Sequence, residues 1–380
     1  MLKVLMMGGR RCGKTSALAS LFYQAINGEV NAIFTMNDAT TNQCRDGEVI
    51  EPLGNKRLEL QNSITTGGNR TFLVDLAPTR TYWDYTLRLQ IPGTGRDMQI
   101  LFRDVNGEIF DPMLDSGYKE EIENYVKECD VFVVVVDTPY LMAGNDVEKE
   151  AANIKDNIHT FLTNINRDKA IQVIFVPMKC EKWVKEGRID EVTDAVEQLY
   201  AATLRDLLAT EKIEVSIIPI ETAGDILFEE LRKPCLLYNE NTGKTRKCSK
   251  VEGNDSVVIL GDGKPHNLEV GEIVQDEDLE AVFPNTSIVR PTSWYKLRHN
   301  PNAQYTPHNC EQLVTHILRF MFNKTRAEAR GGILGEFFRR IFGRITREDM
   351  ENAMNRLAAA KLVKNNGDGI KILKSCFLNI

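Results

Sequence analysis

Mainly apolar runs alternate with amphipathic segments along the first 220 residues. Each run is about six residues long and rich in β-branched or other large apolar side chains, which is typical of parallel strands buried on both faces. These runs are Leu2–Met7, Val131–Val136, Ile171–Val176 and Glu214–Pro219. Segments with helical spacing separate them, at 16–26, 118–129, 147–162 and 189–208. The alternation predicts a parallel sheet with helices on both faces.

One pair of segments departs from this alternation. Thr86–Ile91 alternates polar and apolar residues, Pro92–Gly95 interrupts the pattern, and Met98–Phe102 follows as a second strand. Two short strands joined by a Pro-Gly turn predict an antiparallel hairpin at a sheet edge. The prediction is therefore an α/β fold with a mainly parallel six-stranded sheet and one antiparallel edge strand.

The chain divides into three regions by pattern. Residues 1–228 contain the six strands, and a further helical pattern at Asn309–Asn323 completes the same domain over 305–325. Residues 229–304 predict a β-rich insertion. Residues 326–380 predict a C-terminal helical extension, in which a helix at 350–362 and a turn at 366–369 suggest a small winged-helix unit. An amphipathic segment at 333–345 carries arginines and predicts a helix that packs on its own domain or meets a membrane surface or a partner.

Composition narrows the class of protein. The chain has 380 residues, 42% hydrophobic, and a formal charge of −7 from 47 basic and 54 acidic residues. An acidic balance disfavours general nucleic-acid binding, because phosphate neutralisation needs a basic surface. The eight cysteines form no C-x-x-C pair, and no apolar run of about 18 residues could span a bilayer. These features predict a cytoplasmic protein with reduced thiols.

A glycine-rich loop links the first strand to the first helix. Gly8, Gly13, Lys14 and Thr15 match the spacing G-x-x-x-x-G-K-[ST] of a phosphate-binding P-loop. Backbone N–H groups and the following helix N-terminus can face a polyphosphate there, while lysine adds charge and threonine a metal ligand. The predicted nucleotide-binding loop comprises Gly8, Gly9, Arg10, Arg11, Cys12, Gly13, Lys14, Thr15 and Ser16.

A second motif follows the hairpin. Asp104 and Gly107 form D-x-x-G where the second hairpin strand ends, and a carboxylate beside a P-loop suits a hard cation. A P-loop, a hairpin and D-x-x-G together resemble the translation-factor and Ras-like class of P-loop GTPases, including prokaryotic small-GTPase-like proteins of double-GTPase type. The resemblance covers 1–228 and 305–325. It implies a three-layer Ras-like P-loop fold and GTP, GDP and Mg²⁺ as ligands.

The resemblance also implies roles at the phosphates. Thr15, Asp104 and a switch threonine, assigned here to Thr81 ahead of Thr79, would hold Mg²⁺. Lys14, the Gly107 amide and Glu108 would act in hydrolysis. Many relatives have a water-orienting Gln at the position of Glu108, where a carboxylate lies beside triphosphate charge. Slow intrinsic turnover that improves with a partner is therefore expected.

The two motifs that recognise the base in this family are matched only in part by the sequence. Lys179 matches the lysine of the family motif N-K-x-D, whereas Met178 replaces its Asn and Glu181 its Asp. In the family the Asn ties loops together and the Asp accepts from guanine. Thr222 and Ala223 resemble the S-A-K base loop, with Gly224 in place of the Lys. Guanine preference is predicted, with adenine left open.

The leading hypothesis is a molecular switch in which GTP and Mg²⁺ order residues 28–85 and 105–125, read by a protein effector or activator. An ATP-binding ATPase and a scaffold that binds nucleotide without turnover are the alternatives. A homodimer is open. Membrane or nucleic-acid contact through the C-terminal basic segment is also open, but is disfavoured.

Overall fold

The structure is a computed structural model. It describes residues 1–9, 12–41, 49–66, 82–105, 116–142, 148–163, 165, 169–225, 227–232, 235–239, 244–248, 257–259, 265–267, 286–289, 294–298, 302–329 and 342–377. The chain forms two compact units. One comprises 1–66, 74–225 and 303–380, and the other comprises 67–73 and 226–302.

The described strands are numbered in chain order. They are β1 (Leu2–Met7), β2 (Thr35–Asp38), β3 (Tyr82–Ile91), β4 (Arg96–Val105), β5 (Val131–Asp137), β6 (Ile171–Met178), β7 (Ile213–Ile217), β8 (Leu227–Arg232), β9 (Cys235–Asn239), β10 (Lys244–Cys248), β11 (Val257–Ile259), β12 (Pro265–Asn267), β13 (Thr286–Val289), β14 (Trp294–Arg298), β15 (Asn366–Gly367) and β16 (Ile370–Lys374).

The described α-helices of five or more residues all lie in the first unit. They are α1 (Lys14–Asn27), α2 (Leu53–Thr66), α3 (Ser116–Glu128), α4 (Thr138–Met142), α5 (Glu148–Thr163), α6 (Glu181–Lys185), α7 (Ile189–Leu199), α8 (Ala201–Ala209), α9 (Cys310–Ala329) and α10 (Arg347–Ala359). The single helix expected over 189–208 is two helices, since the chain departs from helical geometry at Tyr200. None of the described helices is both long and apolar enough to cross a membrane.

The central sheet confirms the predicted α/β fold class. Strands β7, β6, β5, β1 and β4 are parallel neighbours in that order, and β3 pairs antiparallel with β4 as the hairpin pattern predicts. The sheet extends further than predicted at both edges. Strand β2 pairs with β3, while β16 pairs antiparallel with β7 and carries β15 on its other side.

The C-terminal hairpin differs from the expected winged-helix arrangement. The predicted turn at 366–369 exists, but β16 continues the central sheet, with Lys371 opposite Ile217. Glu214 of β7 accepts a hydrogen bond from Ser375, just beyond β16, at 3.0 Å. Residues 342–377 thus pack within the first unit; the boundaries predicted at 228, 304 and 326 stay predictions as domain boundaries.

Two apolar layers hold helices on the two faces of the sheet. On one face, Leu18 of α1 and Leu313 of α9 are fully buried against strand residues such as Val133. On the other face, Ile122 of α3 and Ile158 of α5 pack in a second cluster. Each such side chain contributes about 1.5–3 kcal/mol by leaving water. This burial fixes the carboxyl ends of β1, β4, β5 and β6 at one edge, where the loops meet.

The second unit has only strands among its described elements. β8 pairs with β14, β9 lies between β10 and β13, and β11 pairs with β12, all antiparallel. The β-rich insertion expected over 229–304 stays a prediction as a domain.

Candidate functional site

The loop after β1 requires glycine at two positions. Gly8 and Gly13 have φ of 152° and 101°, in the region that side chains disfavour. A Cβ on Gly8 would lie 2.6 Å from the carbonyl oxygen of Val135, and one on Gly13 would lie 3.0 Å from the methyl group of Met178. The glycines of the P-loop motif therefore let the backbone turn tightly against β5 and the end of β6.

Lys14 lies across this loop at the start of α1. Its side chain is buried, and Nζ donates to the carbonyl oxygens of Gly8 at 3.2 Å and Gly9 at 3.1 Å. Gly13 is the N-cap residue, and among the described residues no side chain caps the first turn of α1. A positive charge and a helix N-terminus thus meet at the loop, the arrangement that binds anions.

Asp104 comes to the same place from the end of β4. The parallel register sets Asp104 opposite Met6, one residue before the end of β1. Its Oδ2 accepts a hydrogen bond of 2.6 Å from the Thr15 hydroxyl. The side chain is 1% exposed, and its Oδ1 has no hydrogen-bond partner among the described residues.

The charge state of Asp104 reflects this burial. Loss of water raises the pKa of its carboxyl group, and the Lys14 ammonium and the Thr15 hydroxyl oppose the rise. An orphaned, buried carboxylate oxygen beside a hydroxyl is a donor set for a hard divalent cation such as Mg²⁺. Thr15 and Asp104, two of the three residues assigned to the metal from sequence, therefore fit that ion.

Five predicted site residues lie outside the described residues. They are Arg10, Arg11, Thr81, Gly107 and Glu108. Their assigned roles stay predictions.

Asp137, the other carboxylate at the end of a central strand, has a different partner. As the last residue of β5 it forms an ion pair of 2.6 Å with Lys179. Its other carboxylate oxygen accepts from the Tyr140 amide at 3.2 Å, at the start of α4. Lys179 has a φ of 61°, which is uncommon for a residue with a side chain. Asp104, and not Asp137, therefore holds the P-loop threonine.

Glu181 contacts the predicted base loop. Its Oε1 accepts from the amides of Thr222 at 2.9 Å and Ala223 at 2.8 Å, and the side chain is 4% exposed. Burial raises the pKa of Glu181 to about 6, the Glu221 carboxylate adds to the rise, and the backbone N–H donors oppose it. The structure thus brings Glu181, Thr222 and Ala223 together.

Sequence reasoning missed the contacts that link this loop to α1. The Ser20 hydroxyl donates to the Thr222 carbonyl at 3.0 Å and lies 2.9 Å from the Tyr305 hydroxyl. Ser20 is fully buried. A serine within an otherwise apolar helix face is the signal that could have identified it, because buried hydroxyls need partners.

A second missed cluster surrounds Arg103, whose neighbour Asp104 faces the other side of β4. The guanidinium donates to both carboxylate oxygens of Asp84, at 2.8 and 2.7 Å. It stacks between the rings of Tyr82 and Tyr125, 3.9 and 4.0 Å from their centres. Tyr82 also donates to Glu121 of α3 at 2.6 Å. The cluster ties the start of β3 to α3.

Comparison with known protein families gives a match over part of the chain. Residues 71–227 match the model of a family described as Double-GTPase 2. No curated protein matches the chain.

Solved structures with a similar chain trace include the signal recognition particle receptor SRb-GTP/SRX complex from Chaetomium thermophilum. It shares 11% identity, with 59% of this chain and 92% of that chain covered and a TM-score of 0.32. The S. cerevisiae Ski7 GTPase-like domain bound to GDP and inorganic phosphate shares 14%, with 58% and 43% covered and a TM-score of 0.29. Its GTP-bound form shares 15%, with 58% and 42% covered and the same TM-score. The chain spans less than half of the Ski7 chains.

Proposed function

We propose that this chain, which contains a P-loop GTPase domain of the double-GTPase type, is a guanine-nucleotide-dependent switch. It binds GTP with Mg²⁺, hydrolyses it slowly to GDP and phosphate, and presents the two nucleotide states to a protein partner. The observation that supports this most directly is the Thr15–Asp104 pair beside a glycine loop and a buried lysine, with one carboxylate oxygen that has no hydrogen-bond partner among the described residues.

Lys14 and the loop amides would bind the phosphates. Among the described residues, the shorter contacts of the Lys14 ammonium are with two neutral carbonyl oxygens, those of Gly8 and Gly9. A phosphate oxygen is a stronger acceptor than a carbonyl because its bond to an ammonium is charge-assisted. Lys14 can therefore exchange its loop contacts for the β- and γ-phosphates without leaving the loop.

Thr15 and Asp104 would hold Mg²⁺, which supplies charge stabilisation as the γ-phosphoryl group transfers to water. Within the described part of the chain the Oδ1 of Asp104 has no hydrogen-bond partner, so this oxygen can coordinate an ion. Thr81 is proposed as a further ligand. The protein's own contribution is to place the charges before the reaction, which lowers the barrier without reorganisation.

Slow hydrolysis is proposed because Glu108 takes the position of the water-orienting Gln of related GTPases. A carboxylate next to triphosphate oxygens is repelled, so it aligns water poorly unless a partner changes its surroundings. The Gly107 amide is proposed to contact the γ-phosphate.

The switch itself is proposed for residues 28–85 and 105–125. The Arg103 cluster supports this, since it joins β3, at the end of the first segment, to α3, within the second. A change at the γ-phosphate that moves one segment is then transmitted to the other. A protein effector or activator can recognise the conformation of both.

The experiment measures melting temperature and phosphate release of the full chain with Mg²⁺ and GTP, ATP or GDP. Saturation at 100 times Kd adds about 2.7 kcal/mol of stability, or roughly 5–10 °C for a domain of this size. GTP is expected to give that shift together with slow phosphate release. Lys14→Ala should abolish both, and Lys212→Ala, an exposed lysine, should change neither.

Three results would overturn the proposal in distinguishable ways. A shift with ATP but not GTP would make the chain an adenine-nucleotide enzyme. A shift without phosphate release would make it a nucleotide-binding scaffold. No shift with any nucleotide would remove the site altogether.

A further inference from the structure

The carboxylate of Glu181 is enclosed by backbone donors. The amides of Thr222 and Ala223 donate to Oε1, at 2.9 and 2.8 Å, and the amide of Glu181 itself is a third donor. The side chain is 4% exposed. A carboxylate that accepts several backbone N–H bonds in a buried place is firmly held, because each bond is charge-assisted.

Met178 cannot hold the base loop by hydrogen bonds, whereas Glu181 does. In the related GTPases the residue at this position is an Asn that ties loops together, but Met178 is fully buried and has only a thioether to offer. Its methyl group packs beside Gly13. The neighbouring Lys179 is held by Asp137. Among the described side chains at the end of β6, Glu181 is the one that joins this end to the base loop by hydrogen bonds.

The base loop, residues 221–224, is fixed from other sides as well. The backbone of Glu221 exchanges two hydrogen bonds with that of His308, both of 3.0 Å. Ser20 holds the Thr222 carbonyl. Gly224 has a φ of 82° and packs tightly against Thr306. Within this loop, the amides of Thr222 and Ala223 take Glu181 as their acceptor.

We propose that Glu181 is a positioning residue that fixes the base loop from behind, and that it does not accept from the N1–H and N2–H₂ groups of guanine. Reading N1–H and N2–H₂ together takes both carboxylate oxygens, but Oε1 already accepts from the amides of Thr222 and Ala223. Two-point reading would leave those amides unpaired, which costs as much as the new bonds return. The site therefore selects GTP only weakly over ITP and ATP, and the guanine preference of the proposed switch is correspondingly small. This inference rests on the proposed nucleotide binding.

Calorimetric titration of the full chain with Mg²⁺ and each of GTP, ITP and ATP tests the inference. ITP lacks the N2 amino group, so it isolates one of the two donors that a guanine-reading carboxylate would use. Wild-type affinities for GTP and ITP are expected within about threefold, whereas loss of a dedicated hydrogen bond to a charged group costs about tenfold or more.

Three variants separate positioning from base reading. Glu181→Gln keeps an oxygen for the loop amides and should lower all three affinities equally, by about threefold or less. Glu181→Ala removes the acceptor and should lower all three equally, by about tenfold or more. Glu186→Gln changes a half-exposed carboxylate at the end of α6 and should leave the affinities unchanged.

Hydrogen exchange of nucleotide-free protein gives a readout that does not depend on binding. The amides of Thr222 and Ala223 should be protected in the wild type and in Glu181→Gln, and should exchange about tenfold faster or more in Glu181→Ala. ITP binding at least about tenfold weaker than GTP, or a GTP-selective loss in Glu181→Gln, would overturn the inference. So would unchanged exchange in Glu181→Ala. Absence of nucleotide binding in every protein would instead refute the proposed function.

Discussion

Replacing Asp104 with Asn should stabilise the nucleotide-free protein and remove its response to Mg²⁺ and GTP. The wild-type carboxylate is 1% exposed, and its Oδ1 has no partner among the described residues. Its raised pKa means that the fold disfavours the charged form despite the nearby ammonium of Lys14. Asparagine keeps the shape and an oxygen for the Thr15 hydroxyl, while the buried charge disappears.

The magnitude follows from the buried charge, because asparagine still places a polar atom where Oδ1 lies and removes only the cost of burying the charged form. An unsatisfied buried polar group costs about 1–3 kcal/mol, and more when it is charged. One kcal/mol corresponds to about 2–4 °C in melting temperature for a domain of 150–250 residues. Asp104→Asn is therefore expected to melt roughly 2–10 °C higher than the wild type without ligands.

Thermal unfolding in EDTA, in Mg²⁺ and in Mg²⁺ with GTP measures both effects. The wild type should gain about 2.7 kcal/mol at 100 times Kd of the complex, and the variant almost none. Asp156→Asn, at a largely exposed carboxylate, is the matched control and should behave as the wild type. A lower melting temperature without ligands, or an undiminished response to Mg²⁺ and GTP, would refute the reasoning.

Two further predictions concern the Arg103 cluster and the pH dependence of Glu181. Arg103→Met should lower the free energy of unfolding by about 3 kcal/mol, because it leaves the Asp84 carboxylate without its bidentate partner; in urea titrations the double variant with Asp84→Asn should lose less than the sum of the single changes. For Glu181, a pKa raised from 4.5 to about 6 favours folding fully below pH 4.5, and this stabilisation is lost as pH rises through 6. The free energy of unfolding of the wild type relative to Glu181→Gln should thus fall by about 2 kcal/mol between pH 4 and pH 7, with Glu221 the neighbouring carboxylate present in both proteins; a flat difference would contradict the assignment.

The parts of the fold predicted from sequence are those with strong local patterns. The run Val131–Val136 and the P-loop spacing of Gly8–Thr15 each fix an element and its neighbours through burial or through glycine geometry. The hairpin of β3 and β4 was also predicted, although its strands extend to Tyr82 and Val105. Strand β2 was missed because four residues with mixed polarity carry no periodicity.

The placement of the C-terminal hairpin could not be read from its own residues. Ile370–Lys374 has a pattern that fits a winged-helix unit or a sheet edge equally well, and pairing with β7 depends on contacts more than 150 residues apart. Similarly, the two amides that hold Glu181 are backbone groups. The contact therefore leaves no residue type in the sequence from which it could be predicted. Asp104 was identifiable because its partner, Thr15, belongs to a motif.

The pairing of β16 with β7 has a consequence for the growing chain on the ribosome. Strand β7 ends at Ile217, and the segment that covers its edge begins at Ile370. At about 5–20 residues per second, translation of the intervening stretch lasts roughly 10–30 seconds. During that interval the open edge offers unpaired backbone groups to any other extended polypeptide. The nascent protein is therefore open to misassociation at this edge until Ile370–Lys374 has been synthesised.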